Sequence, residues 1–378
     1  MNETVLTNAR IVLADEVVTG SLVMRDGKIA EVARGASTVG DDMGGDYIIP
    51  GLVELHTDHL EGHYAPRPKV RWNPVASVLA HDAQVATAGI TTVFDALRIG
   101  MDYDADLTIE DMCMLAEAID DSVRQDRLRA DHFIHLRCEV SAGDCQQAFD
   151  RFDGDTRVKL ASLMDHAPGQ RQFAKLEAYA MYYQGKLKMS DAVFLDYCAK
   201  RIKLSEKNSA PNRLAISQAC RERGIVLASH DDATVAHVDE AVEQGIRVAE
   251  FPTTEEAARA SKEAGLGVLM GAPNVMRGAS HSGNVSARTL AACGLLDILS
   301  SDYIPFSLIQ SAFFLGDAVE GISLPEAVAM VSKNPAEAVG LDDRGVIEDG
   351  RRADLVRVRV DDHIPVVRTV WREGRRIA

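Results

Sequence analysis

The segment Pro50-Gly51-Leu52-Val53-Glu54-Leu55-His56-Thr57-Asp58 carries an imidazole and a carboxylate to the end of a short apolar run. A strand points successive side chains to opposite faces. His56 and Asp58 therefore share a face, one pleat apart. An imidazole nitrogen and a carboxylate oxygen at that separation can grip one divalent cation. An isolated H-x-D reads equally as a polar strand end, and what favours the metal is the rest of the chain. Phe133–Glu139 holds His135, Arg137 and Glu139 on one face, and Val158–His166 ends in Asp165 and His166 on opposite faces. Ile225–His230 leads into Asp231 and Asp232, with His230 and Asp232 on one face. Asp95, Glu250 and Asp302 stand at or near the ends of further strand-like runs. So many polar groups at strand ends are costly to bury without a shared partner, and one or two metal ions would supply it. The candidate ligands are His56, Asp58, Glu139, His166, His230 and Asp302. Plainer roles stay open: His166 as the cap of its loop, Glu139 as an ion-pair partner of Arg137. His81, inside a predicted helix, reads as an ordinary polar residue.

A second group is basic. Pro66-Arg67-Pro68-Lys69-Val70-Arg71 follows the first of these strands, Gly169-Gln170-Arg171 the fourth, and Arg277-Gly278-Ala279-Ser280-His281-Ser282-Gly283-Asn284 the seventh. The last is rich in Gly, Ser and Asn, which lets backbone N–H groups approach an anion. Arg offers a planar fork to phosphate and Lys a point charge. Any one of these segments alone reads as a solvated loop. Together on one face they point to a polyanionic small molecule. The formal charge of −16 excludes a general nucleic-acid binder, which needs a basic face. It does not exclude a local cluster of cations around a small anion.

Elements must position these residues. The middle of the chain offers about eight strand candidates: Leu52–Asp58, Thr91–Ala96, Phe133–Glu139, Val158–His166, Ile225–His230, Val248–Pro252, Val268–Pro273 and Leu296–Asp302. Helical stretches separate most of them, such as Ala76–Ala88 before Gly89, and a helix with Asn334 as cap and Pro335 at its first position. Such repeats predict an α/β fold, a (β/α)8 TIM-type barrel with active groups at the C-terminal strand ends. A doubly wound open sheet is the rival, weakened because no G-x-G-x-x-G follows the first strand. Both termini are β-rich, with Asp26-Gly27 as a hairpin signal. They predict a small β-sandwich domain from residues 1–50 and 345–378 around a barrel of 51–344, with a helical insertion around 168–213. The six cysteines form no C-x-x-C and read as reduced. Without a signal segment or a run of about 18 apolar residues, the expectation is a cytoplasmic chain with no membrane partner. Homo-oligomer formation is left open.

The Pro50–Asp58 segment, the β-rich ends and the closing Gly345…Gly350-Arg351-Arg352-Ala353-Asp354-Leu355-Val356 resemble the amidohydrolase superfamily. Ser162–Phe173, Ala228–Thr234, Ala249–Thr254, Val268–Asn284 and Leu295–Tyr303 resemble one branch of it, which acts on a ribose 5-triphosphate in phosphonate catabolism. The resemblance runs nearly end to end. It implies a metal-dependent barrel, with one or two divalent ions (Zn, Mn or Mg) and hydrolysis to the 5-phosphate and pyrophosphate. It implies that His230 is a ligand and that Glu139 occupies a bridging-carboxylate position. Asp302 would bind metal and take a proton from the attacking water, so Asp302 and His230 are the expected catalytic residues. Arg67, Lys69, Arg137, Arg171, Arg277, Ser280 and His281 would hold the phosphates. Glu250 stands where many members carry a histidine, a departure that leaves its role open. Two other readings remain: an amide or cyclic-amide hydrolase of deacetylase or dihydroorotase type, and a non-catalytic barrel scaffold.

Overall fold

Each of the eight middle runs forms a strand, and together they make one parallel sheet. In chain order these are β6 (Leu52–Thr57), β7 (Ile90–Ile99), β8 (Asp131–Glu139), β9 (Val158–Met164), β10 (Val226–His230), β11 (Val248–Glu250), β12 (Gly267–Gly271) and β13 (Ile298–Ser300). Each pairs with its sequence neighbour. The first and last meet through a parallel bridge between Thr57 and Asp302, where the Asp58 N–H donates to the Asp302 carbonyl at 2.9 Å. The sheet thus closes into a barrel. The computed structural model describes residues 3–35, 37–101, 106–171, 179–180, 190–280 and 283–378.

Period-two alternation fixes what the barrel holds. One pleat behind His135, His230, Glu250 and Ser300 lie Phe133, Ala228, Val248 and Ile298, which join Phe94, Leu160 and Leu269 in an apolar plug. Polar groups at the strand ends therefore sit above an apolar floor.

Helices cover the outside. Pro74–Thr87 starts where the Asn73 side chain accepts from the Ala76 N–H and Pro74 takes the first position; it ends before Gly89 at φ +93°. Asp191–Arg223, 33 residues long, is the crossover between β9 and β10. It steadies the rim above β8: Asn212 Nδ2 donates to the carbonyls of Val140 and Ala142 at 2.8 and 2.9 Å. The helix expected to begin at Asn334-Pro335 spans Lys333–Ala338 instead. Pro335 still falls in its first turn, where no donor is required. Asn334 does not cap; its Nδ2 donates to the Asp297 carbonyl at 2.8 Å. Among the described residues no helix is long and apolar enough to cross a membrane. All six cysteines are free.

The termini build a second sheet from β1 (Glu3–Val12), β2 (Val17–Arg25), β3 (Lys28–Arg34), β4 (Asp41–Asp42), β5 (Tyr47–Pro50), β14 (Leu355–Asp361), β15 (Ile364–Arg372) and β16 (Arg375–Arg376). Its order is β16-β15-β14-β5-β1-β2-β3, with β4 on β1. Asp26 and Gly27 both take positive φ, +50° and +81°, as a tight hairpin between twisted strands requires. Ile29 of β3 and Trp371 of β15 share one buried cluster with Leu6, Ile11, Leu22 and Leu355, so the sheet folds over its own core.

Candidate active site

The strand ends open into one cavity of about 870 Å³. Three imidazoles meet on its wall. The rings of His56 and His230 stack with centroids 5.7 Å apart, and His166 stands edge-on to His230 at 5.6 Å. Burial pushes the pKa of His56 and of His230 down to about 3, so both are neutral and offer a lone pair. Which nitrogen offers it is set from behind. Glu250 is fully buried and takes no part in the cavity lining. Its Oε1 lies 3.3 Å from His56 Nδ1 and its Oε2 3.2 Å from His230 Nδ1. A carboxylate acceptor keeps the proton on Nδ1 and leaves Nε2 to face the cavity.

Glu139 does the same for His166, whose Nδ1 donates to its Oε2 at 2.6 Å. The other oxygen accepts from Ser141 Oγ at 2.6 Å and from the His166 N–H at 3.2 Å. Burial would raise this carboxyl, but His166 and then Arg98 and Arg201 outweigh it and hold it well below the usual range. Glu139, an expected ligand, thus has both oxygens hydrogen-bonded here and lies outside the cavity lining. The alternative ion pair between Glu139 and Arg137 does not form; Arg137 donates to Asp58. Asp58, an expected ligand, lines the cavity with that guanidinium as its partner.

Three strand-end residues adopt left-handed backbone: Asp231 at φ +59°, Phe251 at +54° and Asp302 at +53°. At Asp231 this breaks the alternation. Asp231, not Asp232, turns into the cavity beside His230, while Asp232 accepts from Arg171. Asp231 Oδ2 lies 3.7 Å from His166 Nε2 and 3.5 Å from His230 Nε2. It is buried and has no hydrogen-bond partner. Asp302 also faces the cavity, and burial together with the nearby Asp58 charge pushes its carboxyl up to about 7. Neutral imidazole nitrogens with an unpartnered buried carboxylate oxygen are a donor set that fits a divalent cation.

The cation side is only partly as expected. Arg137, Arg277 and Ser280 line the cavity. Arg98 lines it as well and was missed; period two from Phe94 through Ala96 reaches it once β7 is run on to Ile99. Arg67 and Lys69 lie exposed and outside the lining. Arg171 is buried against Asp232 and Glu240, so its charge is already matched. His281 lies outside the described residues.

Asp95 does not reach the cavity. It points outward to the helix layer, where His81 Nε2 and His132 Nδ1 each lie 2.7 Å from its oxygens and Asp82 lies 3.3 Å from His132 Nε2. His81 is thus no ordinary surface residue; it is fully buried. Separations of 2.7 Å are hydrogen bonds, since two donors each about 2.0–2.1 Å from one ion stand roughly 3.3 Å apart. Burial opposes a charge on His132, but Asp95 and Asp82 outweigh it and push it up to about 9. A group raised in the folded state contributes fully below its unfolded pKa and loses that contribution as pH rises through the folded one. Between pH 6.5 and 9.5 the chain is therefore expected to lose about 3 kcal/mol that His132→Gln does not lose. Urea unfolding across that range measures it, and parallel profiles for the two proteins would exclude a buried imidazolium.

A closed parallel barrel, a folded sheet from both termini and a ring of imidazoles and carboxylates at the strand ends define a class. The chain belongs to the amidohydrolase family, whose pattern matches residues 156–378. Amidohydrolases typically bind divalent metal ions, as the donor set here suits. Within the family the chain is 48% identical to alpha-D-ribose 1-methylphosphonate 5-triphosphate diphosphatase of Escherichia coli (strain K12), over 99% of this chain and 100% of that protein. Its fold is shared with N-acetylglucosamine-6-phosphate deacetylase from Pasteurella multocida, at a TM-score of 0.66 and 15% identity over 99% of both chains. It is shared also with 5-methylcytosine deaminase from Klebsiella pneumoniae, at a TM-score of 0.65 and 14% identity over 99% of this chain and 98% of that one.

Proposed function

We propose that this chain is a metal-dependent diphosphatase that hydrolyses alpha-D-ribose 1-methylphosphonate 5-triphosphate to the 5-phosphate and pyrophosphate, in phosphonate catabolism. The observation that carries the reading is the 48% identity, over nearly the whole of both chains, to a diphosphatase named for that substrate. The cavity agrees with it. Arg98, Arg137 and Arg277 line the same space as the imidazoles, so phosphate charge can be neutralised beside the reacting centre.

One or two divalent ions, Zn, Mn or Mg, would be held by His56, His166 and His230 with carboxylates of the same wall. A bound divalent ion supplies Lewis acidity at a phosphoryl oxygen and acidifies water. Asp302, which faces the same cavity, accepts the proton of the attacking water. Arg277, on the short helix Ala272–Arg277 after β12, faces the cavity and takes up charge on the departing pyrophosphate. The partner is thus a polyanionic small molecule.

The test is pyrophosphate release from a ribose 5-triphosphate ester by metal-stripped protein, before and after each of the three ions is restored. Release with at least one ion and none without is expected. Turnover of an N-acetylated sugar phosphate or a cyclic amide, with no pyrophosphate from the triphosphate, would overturn the reading.

A further inference from the structure

We propose that Asp231 is itself a ligand of the catalytic divalent cation, sharing it with Nε2 of His166 and of His230, while Glu139 and Glu250 stand behind the imidazoles and do not touch it. The inference rests on the metal-dependent reading above and goes beyond it, because it assigns the metal-binding oxygen to a residue that strand alternation would turn away.

Four observations converge. Asp231 Oδ2 lies 3.5 Å from His230 Nε2 and 3.7 Å from His166 Nε2. Those separations are too long for hydrogen bonds and suit donors that flank one ion at roughly 2.1 Å each. The oxygen is buried without a hydrogen-bond partner, although a buried carboxylate normally finds one. The backbone is bent to aim it: φ is +59°, and the Asp231 N–H is anchored on the Glu250 carbonyl at 2.9 Å. Asp, like Asn, adopts left-handed backbone more readily than most residues, and here that turn delivers the side chain to the cavity. Finally, both imidazoles are already held through Nδ1, by Glu139 for His166 and by Glu250 for His230. Their Nε2 atoms are left to the cavity, which His166, His230 and Asp231 line and neither glutamate does.

The experiment is spectroscopic and independent of turnover. Metal-stripped full-length Asp231→Cys and Glu250→Cys are each titrated with Co²⁺. A ligand at position 231 gives a thiolate-to-cobalt charge-transfer band in the near ultraviolet for Asp231→Cys and none for Glu250→Cys. The band in Glu250→Cys alone would overturn the assignment. Asp231→Asn covers the case in which the cysteine variant misfolds, since Asn tolerates the same backbone. Competition with a chromophoric chelator should show its Co²⁺ affinity down by more than that of Glu250→Gln, where losing an orienting partner costs about 10–100-fold. Unchanged affinity in Asp231→Asn would sink the proposal. The band in Asp231→Cys, together with wild-type protein that releases no pyrophosphate with any of the ions, would sink the diphosphatase reading and leave this site standing.

Discussion

Asp302→Asn should lower pyrophosphate release by about 10³-fold or more, the range a general base contributes, while the thermal midpoint stays within a few degrees of wild type. The amide cannot accept the proton of the attacking water. It can keep the backbone, because Asn tolerates φ near the +53° seen here. That matters, since the Asp302 carbonyl accepts the Asp58 N–H and closes the barrel. Alanine at this position would confuse loss of chemistry with loss of the closing bridge. Initial rates at saturating substrate and metal, with a circular-dichroism melt on the same sample, separate the two. Near-normal rates would remove Asp302 from the role.

The second large effect lies at the opposite end of the barrel. Asp131, at the start of β8, meets Arg344, Arg352 and Arg372 at 2.7, 2.8 and 3.0 Å. Arg372 belongs to β15, and the Arg352 backbone bridges to Lys28 of β3, so this one carboxylate ties the barrel base to the terminal sheet. The three guanidinium groups are mostly buried, with side-chain exposures of 7%, 13% and 17%. Removing the shared anion leaves neighbouring like charges facing one another. Asp131→Ala should therefore cost about 3 kcal/mol in urea unfolding, with turnover per folded molecule unchanged. Arg344 and Arg352 also reach Asp343 and Asp354 at 2.8 and 3.1 Å, and a loss below roughly 0.5 kcal/mol, the scale of an exposed pair, would show that those carboxylates suffice.

Much of this was legible before any coordinates. Apolar runs marked all eight barrel strands, and all but Val268–Pro273 carry His, Asp or Glu at or near their ends, because a buried parallel strand must be apolar and its C-terminal end is where polarity can begin. His56, His166, His230 and Asp302 lie on one cavity as their positions implied. What failed did so where alternation stopped governing the chain. Asp231 reaches the cavity through one left-handed residue, which composition does not announce. Glu139 and Glu250 reach the imidazoles from behind, a distinction of depth that face-sharing cannot express. Arg171 looked like a loop cation, yet Asp232 and Glu240, distant in sequence, neutralise it. His81 looked ordinary because its partners, Asp95 and His132, lie on two other elements.

The hydrogen bond from the Asp58 N–H to the Asp302 carbonyl joins the first stave of the ring to the last beside the cavity. That seam needs β6 and β13 together, so the cavity wall is complete only once both staves are in place. Any gentle loosening of the seam would silence the enzyme while most of its helices remained intact, which makes turnover a more sensitive gauge of ring opening than helix content.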